Sequence, residues 1–240
     1  MKYNIPNNIP NVVGNEVNYV NKALSSGMLA EGSYIKEFEK KIASAEGNFY
    51  GVCVSSGTAA IHLALLASGV KPDDEVITSA TTFAATANAI IYTGAKPIFV
   101  DINHSDLCLD VKELSNWLNK NTEMINGKCI NLKTKRQISA ILLVHVYGFF
   151  SNRSKIREVI KSKNIKIIED GAEALGSRFM KKSIANGASI FTLSFNGNKI
   201  ITTGGGGMVL CKNKKIADRI RYLANQAKTP HYDFIHNEVG

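Results

Sequence analysis

The chain has no apolar run approaching the roughly 20 residues a bilayer-spanning helix needs, so no membrane span is expected. Its start, MKYNIPNNIPNVVG, lacks the apolar stretch of a secretory signal, and the expectation is a soluble cytoplasmic protein. Cys53, Cys108, Cys129 and Cys211 form no CxxC pair, and no histidine is spaced to complete a zinc site with them. That leaves reduced, mostly buried thiols and no metal. No internal repeat or low-complexity linker divides the 240 residues, which are enough to bury a sizeable core. The net charge is +9, but the basic residues are dispersed through segments such as SKIREVIKSKNIK and KNKKIADRIR without an aromatic ladder between them. Nucleic acid is therefore not the expected partner; a solvated surface with a bias toward anionic ligands is.

What the sequence does contain is alternation. Apolar, β-branched runs fall at 50–56, 75–80, 96–102, 138–148, 165–170, 189–195 and 207–211. Between them lie helical patterns such as TAAIHLALLASG, TFAATANAIIYTG and SKIREVIKSKN. This order predicts an α/β fold with a mainly parallel sheet, and the lack of polar alternation predicts helices on both faces. The segment 121–137 breaks the rhythm, and its Asn126-Gly127 pair predicts an exposed loop or hairpin.

Three stretches can carry chemistry. In SSGTAAIHL (55–63) a strand runs through Ser-Gly-Thr into a helix, which gathers free N–H groups and the positive end of a helix dipole where a phosphate could bind. A plain N-capped turn would look the same. In IIEDGAEALGS (167–177), Asp170 ends a buried strand, where open α/β sheets place ligands, and Glu173 would reach the same crevice if the chain turned into a helix. A capping Asp with a solvated Glu is the alternative. In SFNGNKIITTGGGGMV (194–209), Lys199 stands between a strand end at Ser194 and four glycines that permit tight passage of the backbone.

A lysine held in a crevice among apolar and glycine residues is a candidate Schiff-base nucleophile, because desolvation disfavours its charged form. An aldehyde cofactor bearing a phosphate would give all three stretches one purpose, with pyridoxal phosphate on Lys199, its ring nitrogen against Asp170 and its phosphate on Ser-Gly-Thr and Ser194. Two unit charges about 4 Å apart gain roughly 4 kcal/mol at an effective dielectric near 20, enough to keep the ring nitrogen protonated. Phe83, just beyond a strand end, could stack on the ring or simply pack in the core. His145 and Tyr147 sit at a similar edge, with no task assigned beyond local hydrogen bonds.

The succession SSGTAAIHLAL, DEVITSATTFAATANAI, GAKPIFVDI, VHVYG, IIEDGAEALGS, SFNGNKIITTGGGGMV resembles the DegT/StrS family of pyridoxal-phosphate-dependent sugar aminotransferases. The resemblance implies the aspartate-aminotransferase-like fold, fold type I. It implies that Lys199 bonds the cofactor and then serves as the base, with Asp170 under the ring nitrogen and Glu173 beside the ring hydroxyl. Phe83 would be the stacking aromatic, and Gly57, Thr58, Ala59 and Ser194 the phosphate cradle. It further implies a nucleotide-linked keto sugar as substrate, glutamate as amino donor and a homodimer. The wording around Lys199 is most similar to the branch acting on UDP-linked 4-keto-6-deoxy-N-acetylhexosamines. Gly171 departs from the family's usual alanine, a change expected to spare the carboxylate, and Gly205 replaces a frequent Glu. The text ends at HYDFIHNEVG, and residues 1–240 would be the large cofactor domain with its N-terminal arm, short of a small C-terminal domain. A dehydratase of the same family, in which histidine replaces the lysine, and a non-catalytic basic α/β binding protein are the alternatives.

Overall fold

A computed structural model describes residues 8–29, 32–229 and 235–240. Two helices lead, α1 (Glu16–Ser26) and α2 (Ser33–Glu46), followed by strand β1 (Tyr50–Val54) and helix α3 (Gly57–Ala67). Next come β2 (Glu75–Ser79), α4 (Ala84–Tyr92), β3 (Lys96–Val100), α5 (Val111–Asn121), β4 (Thr122–Ile125) and β5 (Lys128–Asn131). The chain continues through β6 (Ile138–Val144), α6 (Arg153–Val159), β7 (Lys166–Asp170), β8 (Arg178–Phe179) and β9 (Lys182–Ser183). It then forms β10 (Ile190–Ser194), β11 (Gly207–Cys211) and α7 (Lys214–Ala224).

Seven strands form one sheet in the order β1-β11-β10-β7-β6-β2-β3. Neighbours are parallel except at β11, which runs antiparallel to both β1 and β10. The exception has a simple cause: a parallel return needs a crossover, usually helical, whereas the glycine-rich connection 195–206 contains no helix and folds straight back. Every strand of this sheet lies within a run expected from the sequence.

Both faces are covered. Side chains of α3, α4 and α7 pack with Val76, Ala140, Leu142, Ile168 and Val209 on one face. On the other, Leu114 and Leu118 of α5 and Ile156 of α6 meet Ile77, Ile141 and Leu143, while α2 covers Phe191, Leu193 and Leu210. This is why β6 reads ISAILLV without alternation: all seven residues are buried. Full burial of each Leu or Ile contributes about 1.5–3 kcal/mol. Among the described residues no helix is long and apolar enough to cross a membrane.

The expected hairpin is β4–β5, turned by Asn126 and Gly127, both with positive φ (50° and 75°). Helix α5 was not anticipated, although its signals were present: Asp110 caps it, accepting from the N–H of Lys112 and Glu113 at 2.7 and 2.9 Å, and Val111, Leu114 and Leu118 share a face. The β8–β9 hairpin was also missed. Met180 and Lys181 turn it with φ of 48° and 64°, an unusual conformation for such residues and one that no Gly or Asn announces. All four cysteines are free, and burial pushes the Cys53 and Cys211 thiols up to about 12, as unreactive groups.

Candidate active site

Because β1, β2, β6, β7 and β10 point the same way, the residues that follow each of them meet at one edge of the sheet, where β11 also begins. Gly57, Thr58, Phe83, Asp170, Glu173, Ser194 and Lys199 line a single cleft there of about 520 Å³. Ala59 does not. Its N–H is already donated to Ser56 Oγ at 3.1 Å, and the residue lines a groove on the other side of α3 with Cys53 and His62.

At one end of the cleft, Ser56 caps α3, and Ala60 N–H donates to the Ser56 carbonyl at 3.0 Å. No described residue accepts from the N–H groups of Gly57 and Thr58. A Cβ on Gly57 would lie 2.7 Å from Ser194 Cβ, so only glycine lets the helix start reach the strand end. The Ser-Gly-Thr turn is thus capped, and it leaves two N–H groups with no acceptor among the described residues.

Deeper in, Asp170 is buried, with Oδ2 accepting from the Thr86 hydroxyl at 2.8 Å and Oδ1 from Ala172 N–H at 3.1 Å. Burial raises its carboxyl above the ordinary range, against the opposing pull of those two donors and of His145 and Lys199. A raised folded value means stability that is complete below the ordinary aspartate pKa and lost as pH rises through the folded one. The melting temperature of cofactor-free Asp170→Asn minus that of the unsubstituted protein should therefore increase from about pH 4 to about pH 8. A series of thermal melts measures it, and a flat or falling difference contradicts the assignment.

Glu173 reaches the cleft through a turn, not a helix: Ala174 N–H donates to the Gly171 carbonyl at 2.9 Å. Its Oε2 accepts from Tyr147 N–H at 3.0 Å, and its Oε1 lies 3.4 Å from Lys199 Nζ. The lysine therefore has an ionic partner, which sequence reasoning did not foresee. Phe83 is no core residue; it stands 77% exposed at the start of α4, its ring centroid 6.0 Å from Lys199 Nζ.

Residues 10–240 match the DegT/DnrJ/EryC1/StrS aminotransferase family. The chain belongs to this family. It is 42% identical over 241 residues to a GDP-perosamine synthase of Escherichia coli O157:H7, covering 100% of this chain and 62% of that one. NtdA of Bacillus subtilis, solved with bound cofactor PMP, superposes with a TM-score of 0.77 at 29% identity, over 94% of this chain and 47% of that one. An aminotransferase of Psychrobacter cryohalolentis gives a TM-score of 0.82 at 25% identity, over 97% and 58%. The fold is that of the fold type I sugar aminotransferases, as expected, and this chain spans about 60% of the length of the synthase it matches.

Behind the family's aspartate position lies a buried charge network that the sequence did not reveal. Glu169, on the opposite face of β7 from Asp170, accepts from Arg153 Nε at 2.8 Å and Nη2 at 2.6 Å. Its Oε2 is 2.8 Å from His145 Nε2, which donates because a carboxylate only accepts, while His145 Nδ1 lies 3.2 Å from Ser151 N and 3.3 Å from the Phe149 carbonyl. His145 N–H in turn donates to the Asp170 carbonyl at 2.9 Å. His145 thus has partners for both its ring and its backbone N–H, and it ties the network to the cleft edge.

Gly171, the departure from the family pattern, also has a cause. A Cβ there would fall inside the van der Waals envelope of the Phe191 ring, which is fully buried and tilted against His145 with centroids 5.4 Å apart. Gly171→Ala should cost about 1–3 kcal/mol by overpacking, and adding Phe191→Leu should return part of it. Urea unfolding of the two variants tests this; strictly additive losses would refute the contact.

Proposed function

We propose that this chain binds pyridoxal 5'-phosphate and transfers an amino group to a nucleotide-linked keto sugar, with glutamate as donor. The observation that carries the reading is the convergence of a lysine amine, a buried carboxylate and two unpartnered helix-start N–H groups on one cleft. The donor set fits the cofactor's parts. Gly57 and Thr58 N–H with the Ser194 hydroxyl would hold the phosphate, Asp170 the protonated ring nitrogen, Glu173 the ring hydroxyl and Phe83 the ring face. When bound, the cofactor supplies an electron sink for loss of a proton beside nitrogen. Lys199 Nζ is the amine that would hold the cofactor through its aldehyde carbon, with loss of water, and would carry the moving proton, and Glu173, held by Tyr147 N–H, keeps that amine oriented.

Lys199 favours transamination over dehydration, since the dehydratases of this family carry histidine in its place. The family relationship, together with the cleft, favours an enzyme over a basic binding protein. For the substrate, the 42% identical GDP-perosamine synthase favours a GDP-linked sugar, whereas the wording around Lys199 favours a UDP-linked 4-keto-6-deoxy-N-acetylhexosamine. Incubation with glutamate and a panel of GDP- and UDP-linked 4-keto sugars, followed by mass and NMR analysis of the product, decides between them. A protein that stays colourless with pyridoxal phosphate and aminates none of the panel defeats the reading.

The homodimer belongs to the same proposal. Phe83, Tyr147 and Ile200 are all exposed, at 77%, 73% and 60%, at or beside the cleft, an apolar rim suited to a second copy. A monomer in sedimentation at micromolar concentration would remove this element.

A further inference from the structure

The two oxygens of Asp170 are served by different kinds of donor. Oδ1 has a backbone N–H, from Ala172, which cannot change direction. Oδ2 has the hydroxyl of Thr86, on the first turn of α4 and 0% exposed. Thr86 Oγ1 in turn accepts from the Thr82 hydroxyl at 2.7 Å, and Thr82 stands in the wall of the cleft. A line of hydroxyls thus runs from the cleft wall, behind the floor, to the carboxylate.

The chemistry of the line gives it a direction. A carboxylate has no proton to donate, so with Asp170 ionised Thr86 donates to Oδ2, Thr82 donates to Thr86, and each buried polar atom has its partner. With Asp170 neutral the proton must sit on Oδ2, because Oδ1 faces an N–H. The acid then donates to Thr86 and the line must reverse, Thr86 donating to Thr82 and Thr82 to the cleft, so that the stronger, charge-assisted bond from Thr86 to a carboxylate is lost. The line therefore favours the anion, which burial alone disfavours. His145, at the end of β6, and Lys199, after β10, are the charged or titratable groups acting in the same sense. Glu169, its neighbour on β7, faces the other side of the sheet and is taken up by Arg153 and His145.

We propose that Thr86, aligned by Thr82, is a positioning residue that eases the ionisation of Asp170 and holds it turned toward the cofactor's ring nitrogen. This rests on the reading that Asp170 pairs with that nitrogen. Thr86→Val preserves shape and deletes the donor; Thr86→Ser keeps the donor and trims a methyl group. Two readouts apply: the dissociation constant for pyridoxal phosphate, and the carboxyl titration of Asp170 followed by carbon-13 NMR without cofactor. Thr86→Val should weaken cofactor binding by at least about 10-fold and move the Asp170 titration to higher pH, and Thr86→Ser should bring both back. Thr82→Val, which leaves Thr86 in place, should shift both in the same direction by less, and serves if Thr86→Val does not fold. Unchanged affinity and unchanged titration in Thr86→Val, with only a lower melting temperature, would make the residue structural and overturn the proposal. If the unsubstituted protein binds no cofactor, the functional reading fails, and the cofactor-free titration still decides the role of Thr86.

Discussion

Lys199→Ala should abolish the visible absorption of pyridoxal phosphate on the protein and lower transamination by at least about 10²–10⁴-fold. The ammonium is 14% exposed in its side chain, beside Glu173 at 3.4 Å and under the Phe83 ring at 6.0 Å. The loop 195–206 that carries it is pinned at both ends: Phe195 N–H donates to the Gly206 carbonyl and Thr203 N–H to the Phe195 carbonyl, at 2.9 and 3.0 Å. Removing the side chain should therefore leave the loop in place and take away only the amine. Lys199→Arg is the control, because it keeps a cation near Glu173 yet offers no nucleophilic amine at neutral pH. Both variants should be colourless, and both should retain the far-ultraviolet circular dichroism of the unsubstituted protein. Wild-type turnover in either would remove Lys199 from the chemistry.

Arg153→Met should destabilise the protein by about 3–5 kcal/mol, the largest stability effect expected of a single substitution here. Arg153 is buried and bonds Glu169 through Nε and Nη2, the Asn186 carbonyl through Nη1 at 2.8 Å, and the Ile184 carbonyl; its guanidinium lies 5.1 Å from the Phe150 ring centroid. Without it, Glu169 is an anion inside the protein with only His145 to answer it. Combining Arg153→Met with Glu169→Gln removes both charges and should be less destabilising than the first substitution alone. Chemical unfolding of the three variants measures this, and a double variant that loses the sum of the single losses would show that the pair does not interact.

The same network sets an acid dependence. Burial would raise the Glu169 carboxyl, but the hydrogen bonds and charges of His145 and Arg153 outweigh it and hold it below its ordinary value. Its contribution is complete above the ordinary glutamate pKa and is lost as pH falls through the lower folded value, the reverse of Asp170 one residue on. Adjacent carboxylates on opposite faces of β7 thus respond to pH in opposite senses. One has a fork of donors, and the other has one hydroxyl and one backbone N–H.

Much of the fold, and the grouping of the candidate site's residues, was readable in the residues themselves. Apolar runs without alternation predicted a covered sheet, Asn126-Gly127 predicted a turn, and Lys199, Asp170, Glu173, Ser194, Gly57, Thr58 and Phe83 were picked out as one group that the folded chain does bring to one cleft. These signals are local: a strand period, a turn dipeptide, a residue at the end of a run. What local pattern does not carry is which face a side chain takes and which distant atom it meets. The family resemblance placed Ala59 with the cradle, yet the rotation of α3 sends it to the opposite side and its N–H to Ser56. His145 and Arg153 became parts of one network only when β6, α6 and β7 packed together, and Thr86 found Asp170 across 84 positions of sequence.

Sequence alone determined the kinds of chemistry available, because an amine, a carboxylate and a helix start are properties of residue type and strand position. Tertiary structure alone decided how those groups are charged and held. Whether a buried carboxylate survives as an anion depends on donors supplied by other elements, and here α4, α6 and the end of β6 supply them.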